Sequence, residues 1–165
     1  MTTQQTLESQ DPRSPELVEA HSVLAREAFN TLAAQAAKAA EAHPDEAKHL
    51  RSSTGQTYTY PIKLTLGSLL YTVVTIDFAG TDDYFLGHAG GLAVGVDLGW
   101  GAAVLNYRVE DIVGWEARFE LSFLPLATNI NLWGMHGEYI GSGVTGGIGL
   151  GSGIVGGQGS FKAYR

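Results

Sequence analysis

The stretch Gly141-Ser-Gly-Val-Thr-Gly-Gly-Ile-Gly-Leu-Gly-Ser-Gly-Ile-Val-Gly-Gly-Gln-Gly159 decides how the chain folds. Ten of the 22 glycines lie in these 19 residues, and eight of the ten occupy odd-numbered positions. Successive side chains of a β-strand point to opposite faces, so a period of two is the strand period. As a helix, the stretch would lose roughly 8–10 kcal/mol relative to alanine at its glycine positions. The pattern therefore predicts strand, with one nearly bare face.

A membrane-spanning helix is the competing interpretation of this stretch. No charged residue occurs between Glu138 and Lys162, and Gly143 and Gly147 have the small-xxx-small spacing of packed membrane helices. A strand with glycine at odd positions contains every such pair as well, so the spacing does not require a membrane. Strand remains the prediction, and a membrane-inserting pore-former that uses 139–161 is kept as an alternative function.

The residues before the glycine stretch also alternate with a period of two. Apolar and polar side chains alternate over 58–66, and turn signals follow at Gly67-Ser68 and at Asp97–Gly99. The segment 108–114 breaks the alternation and is predicted to be a helical turn or a long corner. The glycine stretch is too long for one strand, so it is counted as two, which makes eight strands. Eight antiparallel strands can close into a barrel filled by side chains. The predicted fold class is all-β, a compact eight-stranded antiparallel β-barrel of Greek-key type preceded by an N-terminal α-helical segment.

The orientation of the glycine stretch determines which side chains lie on the outer surface of the barrel. We predict a turn at Leu150–Gly153, two neighbouring closing strands, and large side chains such as Val144 and Ile154 facing the lumen. The odd-numbered glycines would then form a smooth outer face that a flat partner can approach closely. This predicted interaction surface consists of Gly141, Gly143, Gly147, Gly149, Gly151, Gly153, Gly157 and Gly159. In the opposite orientation, the glycines make room inside for aromatic side chains, and exposed apolar side chains form the partner surface.

The N-terminal third is predicted to be helical. Ser14 is a good N-cap, Pro15 suits the first helical position, and the helix should extend to about His43 before Pro44. Its second half is rich in alanine and holds its conformation mainly by propensity. A second short helix is predicted at 45–50.

The chain is therefore divided into a mobile N-terminus at 1–13, an alanine-rich helical segment at 14–52 and a barrel domain at 56–165. We predict that the helix at about 25–42 either docks on the barrel, with the glycine face as a candidate position, or mediates self-association. A docked helix would act as a lid or as an assembly handle.

Composition and motifs exclude several classes of function. The net charge is −7, which does not suit a nucleic-acid binder, and the absence of cysteine excludes disulfides and thiol catalysis. No nucleophile elbow, zinc-protease motif or P-loop occurs. We therefore predict a protein that is not an enzyme, with no catalytic residues, no metal site and no cofactor. The chain as given shows no signal peptide, which leaves a cytoplasmic location open.

The histidines and aromatic residues have simple predicted roles. His21, His43 and His49 should be solvated, and a metal site at His88 and His136 would need barrel closure to bring them together. The three tryptophans, with the tyrosines and phenylalanines, are expected to fill the barrel, with some indoles near its ends.

Five short motifs resemble a known family in their order and spacing. They are Ala89-Gly-Gly-Leu92, Gly99-Trp-Gly101, Asn129-Ile-Asn131, Tyr139-Ile-Gly141 and a closing glycine pattern that ends in Ser160-Phe161. Over residues of about 56–163 the chain is similar to the virulence-associated protein (Vap) family of pathogenic actinobacteria. The resemblance implies a compact eight-stranded barrel and a secreted, non-enzymatic virulence effector that interacts with host membranes or a host protein. A small-ligand carrier with an avidin- or lipocalin-like barrel is the remaining alternative.

Overall fold

The structure, a computed structural model, describes residues 15–42, 56–68, 71–90, 95–124, 127–146 and 153–164. Within these ranges the chain forms one α-helix, one short 3-10 helix at Val109–Ile112 and eight strands. The elements are α1 (Pro15–Ala42), β1 (Tyr58–Ser68), β2 (Thr72–Phe78), β3 (Asp83–Ala89), β4 (Gly95–Leu105), β5 (Glu116–Leu124), β6 (Ala127–Gly134), β7 (Tyr139–Gly146) and β8 (Gly153–Ala163). The predicted N-terminus at 1–13 and short helix at 45–50 lie outside the described residues.

The eight strands close into an antiparallel barrel. Their order around the barrel is β1-β2-β3-β8-β5-β6-β7-β4. In β1 to β3 consecutive strands pair, and β4 returns to lie beside β1; in β5 to β7 consecutive strands pair, and β8 returns to lie beside β5. Each group of four is a Greek key. The predicted fold class is thus confirmed.

The barrel lumen is filled by apolar side chains of alternating strand positions. Four phenylalanines pack together at its centre, with ring centroids 5.1 Å apart for Phe85 and Phe161 and 5.8 Å apart for Phe85 and Phe119. The buried cluster consists of Ile62, Leu64, Leu66, Val74, Ile76, Phe78, Phe85, Ala89, Ala103, Leu105, Val109, Ile112, Ala117, Phe119, Leu121, Ile130, Leu132, Ile140 and Phe161. Phenylalanine therefore fills the barrel as expected.

The tryptophans do not fill the lumen. Trp100 and Trp133 occupy outward strand positions and are half-buried, and Trp115 is exposed at one barrel end beside Tyr107. The prediction that indoles pack inside is wrong for these residues, because strand parity places two of them on the outer face. Only the expectation of an indole at a barrel end is met.

The predicted turn at Asp97–Gly99 is also wrong. These residues lie inside β4, where Asp97 pairs with Leu66 and Gly99 pairs with Leu64 of β1. A Cβ atom at Gly99 would lie 2.7 Å from Thr145 Oγ1 of β7. Glycine at this position permits the close approach of β7. In the sequence, such a glycine looks the same as a glycine in a turn.

Helix α1 lies on the outer face of β4 and β7. Ala25 and Phe29 are buried against Val104, Tyr139 and Val144. The Ser142 hydroxyl donates a hydrogen bond of 3.1 Å to the Ala25 carbonyl oxygen. These contacts come from the middle of the helix and hold it against one of the two glycine strands.

One polar helix residue also differs from its predicted environment. His21, one turn before Ala25, is 8% exposed. The expectation that it is solvated is wrong, because it lies on the buried side of the helix at the i, i+4 spacing from Ala25.

Candidate functional site

The described glycines of the predicted interaction surface mostly face into the barrel. A Cβ atom at Gly143 would lie 3.1 Å from Ile62 Cδ1, and one at Gly159 would lie 2.6 Å from Phe85 Cζ, both of which are lumen side chains. Gly141 and Gly157 would meet the carbonyl oxygens of Val104 and His88 on the neighbouring strands. The favoured orientation, with glycines outside, is therefore wrong at these positions. The glycines make room for the lumen side chains, as the alternative orientation anticipated.

The large side chains of the stretch occupy the outer face. Val144 is buried beneath α1, whereas Ile154 is 70% exposed. Gly153 is exposed at the start of β8, and Gly147, Gly149 and Gly151 lie outside the described residues. An interaction role for the eight glycines stays a prediction, and the outward side chains now define the surface around them.

The two glycine strands are not neighbours, contrary to the predicted closing pair. Strand β7 pairs with β4 and β6, while β8 pairs with β3 and β5. In the Greek-key order of the barrel, β5 and β6 lie between the two glycine strands, which a local turn pattern does not reveal. The second strand, β8, therefore has its own outer face, far from α1.

The outer face of β8 lies within a row of aligned polar and aromatic side chains. Gln158 pairs with His88 of β3 on one side and with Arg118 of β5 on the other, and Arg118 pairs with Trp133 of β6. In the next row, Gly156 pairs with Glu120 and Glu120 with Asn131. We call the shallow depression here the polar groove, which is lined by Arg118, Phe119, Glu120, Trp133, Gly137, Gly157 and Gln158.

The indole of Trp133 is held by aromatic residues behind it. Its ring centroid lies 6.0 Å from that of Tyr139, which lies 5.4 Å from that of Phe29 in α1. The Tyr139 hydroxyl donates a hydrogen bond of 3.3 Å to Asn131 Oδ1. Burial raises the pKa of Tyr139 to about 12. Helix α1 thus supports one wall of the polar groove through two packed rings.

The polar side chains of the groove are available to a ligand. Within the described part of the chain, the side chains of Arg118, Glu120 and Gln158 form no hydrogen bond or ion pair with protein groups. Arg118 and Gln158 are exposed and Glu120 is half-buried. They present donors and acceptors at the outer surface without internal partners.

A second feature is the apolar end of the barrel. At this end of the barrel the odd-numbered strands β1, β3, β5 and β7 end and the even-numbered strands β2, β4, β6 and β8 begin. Among the described residues, its exposed large apolar side chains are Tyr71, Leu98, Leu124 and Ile154. Leu124 and Ile154 are diagonal neighbours on the outer face, since Ile154 pairs with Ser122.

The opposite end has a different character. Its turns carry carboxylates, among them Asp82, Glu110, Asp111 and Glu138. It also has exposed large apolar side chains, namely Val113, Trp115, Met135 and Tyr164. The Tyr60 hydroxyl donates a hydrogen bond of 3.3 Å to Glu110 Oε2 and accepts one of 3.1 Å from the Val109 amide. The two ends of the barrel therefore differ in polarity.

The described residues contain no cluster of three or more histidine, aspartate or glutamate side chains that could hold a metal ion. His88 is exposed with its ring 6.0 Å from Tyr71, and His136 lies in the β6–β7 turn, where its backbone amide donates to Glu138 Oε2 at 3.1 Å.

Within those same ranges, the structure has no helix that is both long enough and apolar enough to cross a membrane. The helical-span interpretation of 139–161 is wrong, because 139–146 and 153–161 are strands.

Sequence reasoning missed the polar groove. No sequence motif marks Arg118 or Glu120 as part of a site, and the tryptophans, Trp133 among them, are predicted to fill the barrel. The alternation did contain a usable signal, since Trp133 follows Asn129 and Asn131 at outward parity. The alignment of this strand with Gln158, however, depends on the Greek-key pairing of β8 with β5.

Comparisons with known proteins agree with this architecture. The family described as Rhodococcus equi virulence-associated protein matches residues 18–162. The chain is similar to the structure of virulence-associated protein VapB from the intracellular pathogen Rhodococcus equi, with 24% identity and a TM-score of 0.58 over 66% of this chain and 100% of that chain. It is also similar to VapD from the same organism, with 26% identity and a TM-score of 0.57 over 65% of this chain and 99% of that chain. No curated protein sequence matches at a significant level.

Proposed function

The chain belongs to the Rhodococcus equi virulence-associated protein family, and from this premise we propose that it is a secreted, non-enzymatic virulence effector that acts through its barrel surface. We assign the contact surface to the apolar end, and a host membrane as its target. A host protein at the same end is the other candidate, and the experiment below separates the two.

The filled lumen is the observation that carries this proposal. Nineteen buried apolar residues occupy the space in which an avidin- or lipocalin-like carrier would hold its ligand. With the interior occupied, the outer surface is where the chain has room to bind. The carrier alternative therefore receives no support from the barrel interior.

The apolar end is the part of that surface best suited to a lipid bilayer. Both ends expose large apolar side chains, but the sequence segments 67–72, 89–96, 123–128 and 145–154, which connect the strands at the apolar end, contain no charged residue. An apolar surface without charges suits contact with a membrane or a partner. The net charge of −7 opposes attraction to an anionic bilayer, so the contact would depend on burial of apolar area. Acidic conditions protonate histidines and weaken that repulsion, so binding should strengthen at acidic pH.

Flotation with liposomes of phosphatidylcholine and phosphatidylserine, at neutral and acidic pH, tests the proposal on the full chain. The wild-type chain should float with the vesicles, more strongly at acidic pH. The double substitution Leu124→Ser with Ile154→Ser should weaken partitioning about tenfold or more, since each buried apolar side chain contributes about 1.5–3 kcal/mol.

The matched control removes two exposed apolar side chains from the opposite end, through Val113→Ser with Met135→Ser. It should float like the wild-type chain. Absence of flotation at both pH values would overturn membrane contact and leave a host protein as the target. Equal loss in the two double variants would reject the apolar end as the contact surface.

A further inference from the structure

We propose that the polar groove on β5, β6 and β8 is a binding site for a neutral hexose. One face of the pyranose ring would pack on the Trp133 indole, and its hydroxyl groups would bond to Arg118, Glu120 and Gln158. This site is separate from the apolar end and does not depend on membrane binding by that end.

The aromatic wall is the first requirement of such a site. One face of a pyranose ring consists of C–H groups, which pack favourably against an aromatic ring that is already ordered. Trp133 is half-buried and backed by Tyr139, with ring centroids 6.0 Å apart. Because Phe29 packs behind Tyr139 at 5.4 Å, the indole loses little freedom when a ligand binds.

The polar side chains supply the second requirement. Guanidinium, carboxylate and amide groups are planar, and each can form two hydrogen bonds side by side with a pair of adjacent sugar hydroxyls. Arg118 stands directly between Gln158 and Trp133 in the cross-strand register. Neighbouring outward side chains on adjacent strands start about 5 Å apart, so all three can reach one sugar ring.

The balance of charge decides the class of ligand. Arg118 and Glu120 lie two residues apart on the same outward face of β5, so one cationic and one anionic group face the same ligand. A phosphate would be repelled by Glu120, and a cation would be repelled by Arg118. A purely apolar ligand would leave both groups without hydrogen bonds at a cost in free energy. A neutral ligand with several hydroxyl groups satisfies both side chains.

The glycines give the sugar access to the groove floor. Gly137 and Gly157 line the groove, and Gly156 lies beside it, opposite Glu120. A Cβ atom added at Gly156 would meet only the Phe119 carbonyl oxygen, at 3.5 Å. The outer surface at Gly156, two residues from Gln158 along the strand, therefore carries no side chain. Since the groove is shallow and open, we expect dissociation constants of about a millimolar for a single hexose.

Two-dimensional NMR of the ¹⁵N-labelled full chain tests this site. Methyl β-D-glucopyranoside, methyl α-D-mannopyranoside and methyl β-D-galactopyranoside are titrated separately. At least one should cause saturable shifts of the Trp133 indole N–H and the Gln158 side-chain amide. No saturable shift in the groove with any of the three would overturn the proposal.

Variants identify the groups that bind. Trp133→Phe keeps an aromatic ring against Tyr139, and Gln158→Ala changes an exposed side chain, so at least the second should fold normally. Each should weaken binding of the active glycoside about tenfold. The control is Trp115→Phe, which alters an exposed indole outside the groove and should leave the affinity unchanged. Unchanged affinity in Gln158→Ala and Trp133→Phe would reject the site.

The same hexose could be part of a free glycan or of a glycolipid headgroup. Flotation with phosphatidylcholine vesicles, with and without a ceramide glycoside of the active hexose, separates these sources. Glycoside-dependent flotation that is lost in Gln158→Ala assigns the site to glycolipids. If the glycoside binds in the NMR titration but the glycolipid does not cause flotation, the site is assigned to free glycans.

Discussion

Strands β7 and β8 are built from the same glycine-rich pattern but have different surroundings. From Gly141 in β7 and from Val155 in β8, odd-numbered residues face the lumen. The glycines Gly141, Gly143, Gly157 and Gly159 there lie against neighbouring backbone or bulky side chains. Residues 139–145 of β7 are all buried, because α1 covers the outer face of this strand. The outer face of β8 carries Ile154, which is 70% exposed, together with exposed Gly156 and Gln158.

This difference separates two causes of burial. The inner faces of both strands are fixed by the packing of lumen side chains, which requires small residues at the same parity in each. The outer faces depend on which distant segment lies across them, and only β7 is covered by the helix. Substitutions on the inner face should therefore affect the two strands alike, whereas substitutions on the outer face should distinguish them.

The largest effect should come from inner glycines, which test whether the strands are alike inside. Gly141→Ala in β7 and Gly157→Ala in β8 each place a Cβ atom against the carbonyl oxygen of an adjacent strand. Because backbone must move to accommodate it, each should lower the free energy of unfolding by about 3 kcal/mol. Urea denaturation measures this loss.

The matched control for these substitutions is Gly156→Ala on the outer face of β8. Its added Cβ atom meets only an ordinary contact at 3.5 Å, so stability should change by less than about 0.5 kcal/mol. If Gly157→Ala were as stable as Gly156→Ala, the close packing of β8 against β3 would be refuted.

Alkaline titration compares a tyrosine in β7 with one that follows β8. The pKa values of Tyr139 and Tyr164 are both raised from 10.0 to about 12. Burial is the main cause for Tyr139, whereas the hydrogen bond of 2.5 Å from the Tyr164 hydroxyl to Asp77 is the main cause for Tyr164. The two elevated values should therefore respond to different substitutions.

In the folded state Tyr139 keeps its proton between pH 10 and 12, whereas in the unfolded chain it ionises near 10. Its contribution, about 2–3 kcal/mol, should be fully present below pH 10 and be lost as pH rises to about 12. Ring NMR signals should show that Phe29→Ala lowers the pKa of Tyr139 and leaves that of Tyr164 unchanged. Asp77→Asn should lower the pKa of Tyr164 and leave that of Tyr139 unchanged. A fall of both pKa values in either variant would mean that the two sites are coupled.

The smallest of the three effects compares the outer faces directly. Val144→Ser in β7 removes a side chain buried beneath α1 and should cost about 2 kcal/mol. Ile154→Ser in β8 changes an exposed side chain and should cost less than about 0.5 kcal/mol. Thermal unfolding of both variants measures the difference. Equal losses would show that the outer face of β8 is covered in solution, for example by a second copy of the chain.

Local sequence patterns were sufficient to place the helix and most strands, but they did not show which strands lie beside each other. Pro15 correctly placed the start of the helix, and alternation correctly placed a strand over 58–66, because these features depend on residues close in sequence. The turn predicted at Gly67-Ser68 is wrong, because both residues continue β1 and pair with β2. Gly99 was misread as part of a turn, since its role is to admit Thr145 from a strand more than forty residues away. The polar groove was missed for the same reason, because Gln158 and Arg118 meet only through long-range pairing.

The sequence by itself determined the all-β class, the number of strands, the helix ahead of them and the parity that puts the glycines of the stretch on one face. These properties follow from side-chain alternation and local propensity, which act over a few residues. Only the tertiary structure decided that this face looks inward, that the two glycine strands lie apart and that α1 covers just one of them. The physical reason is that inward or outward direction is set by the volume the whole core must fill. In this barrel, Phe85, Phe119 and Phe161 occupy the space that inward glycines leave free.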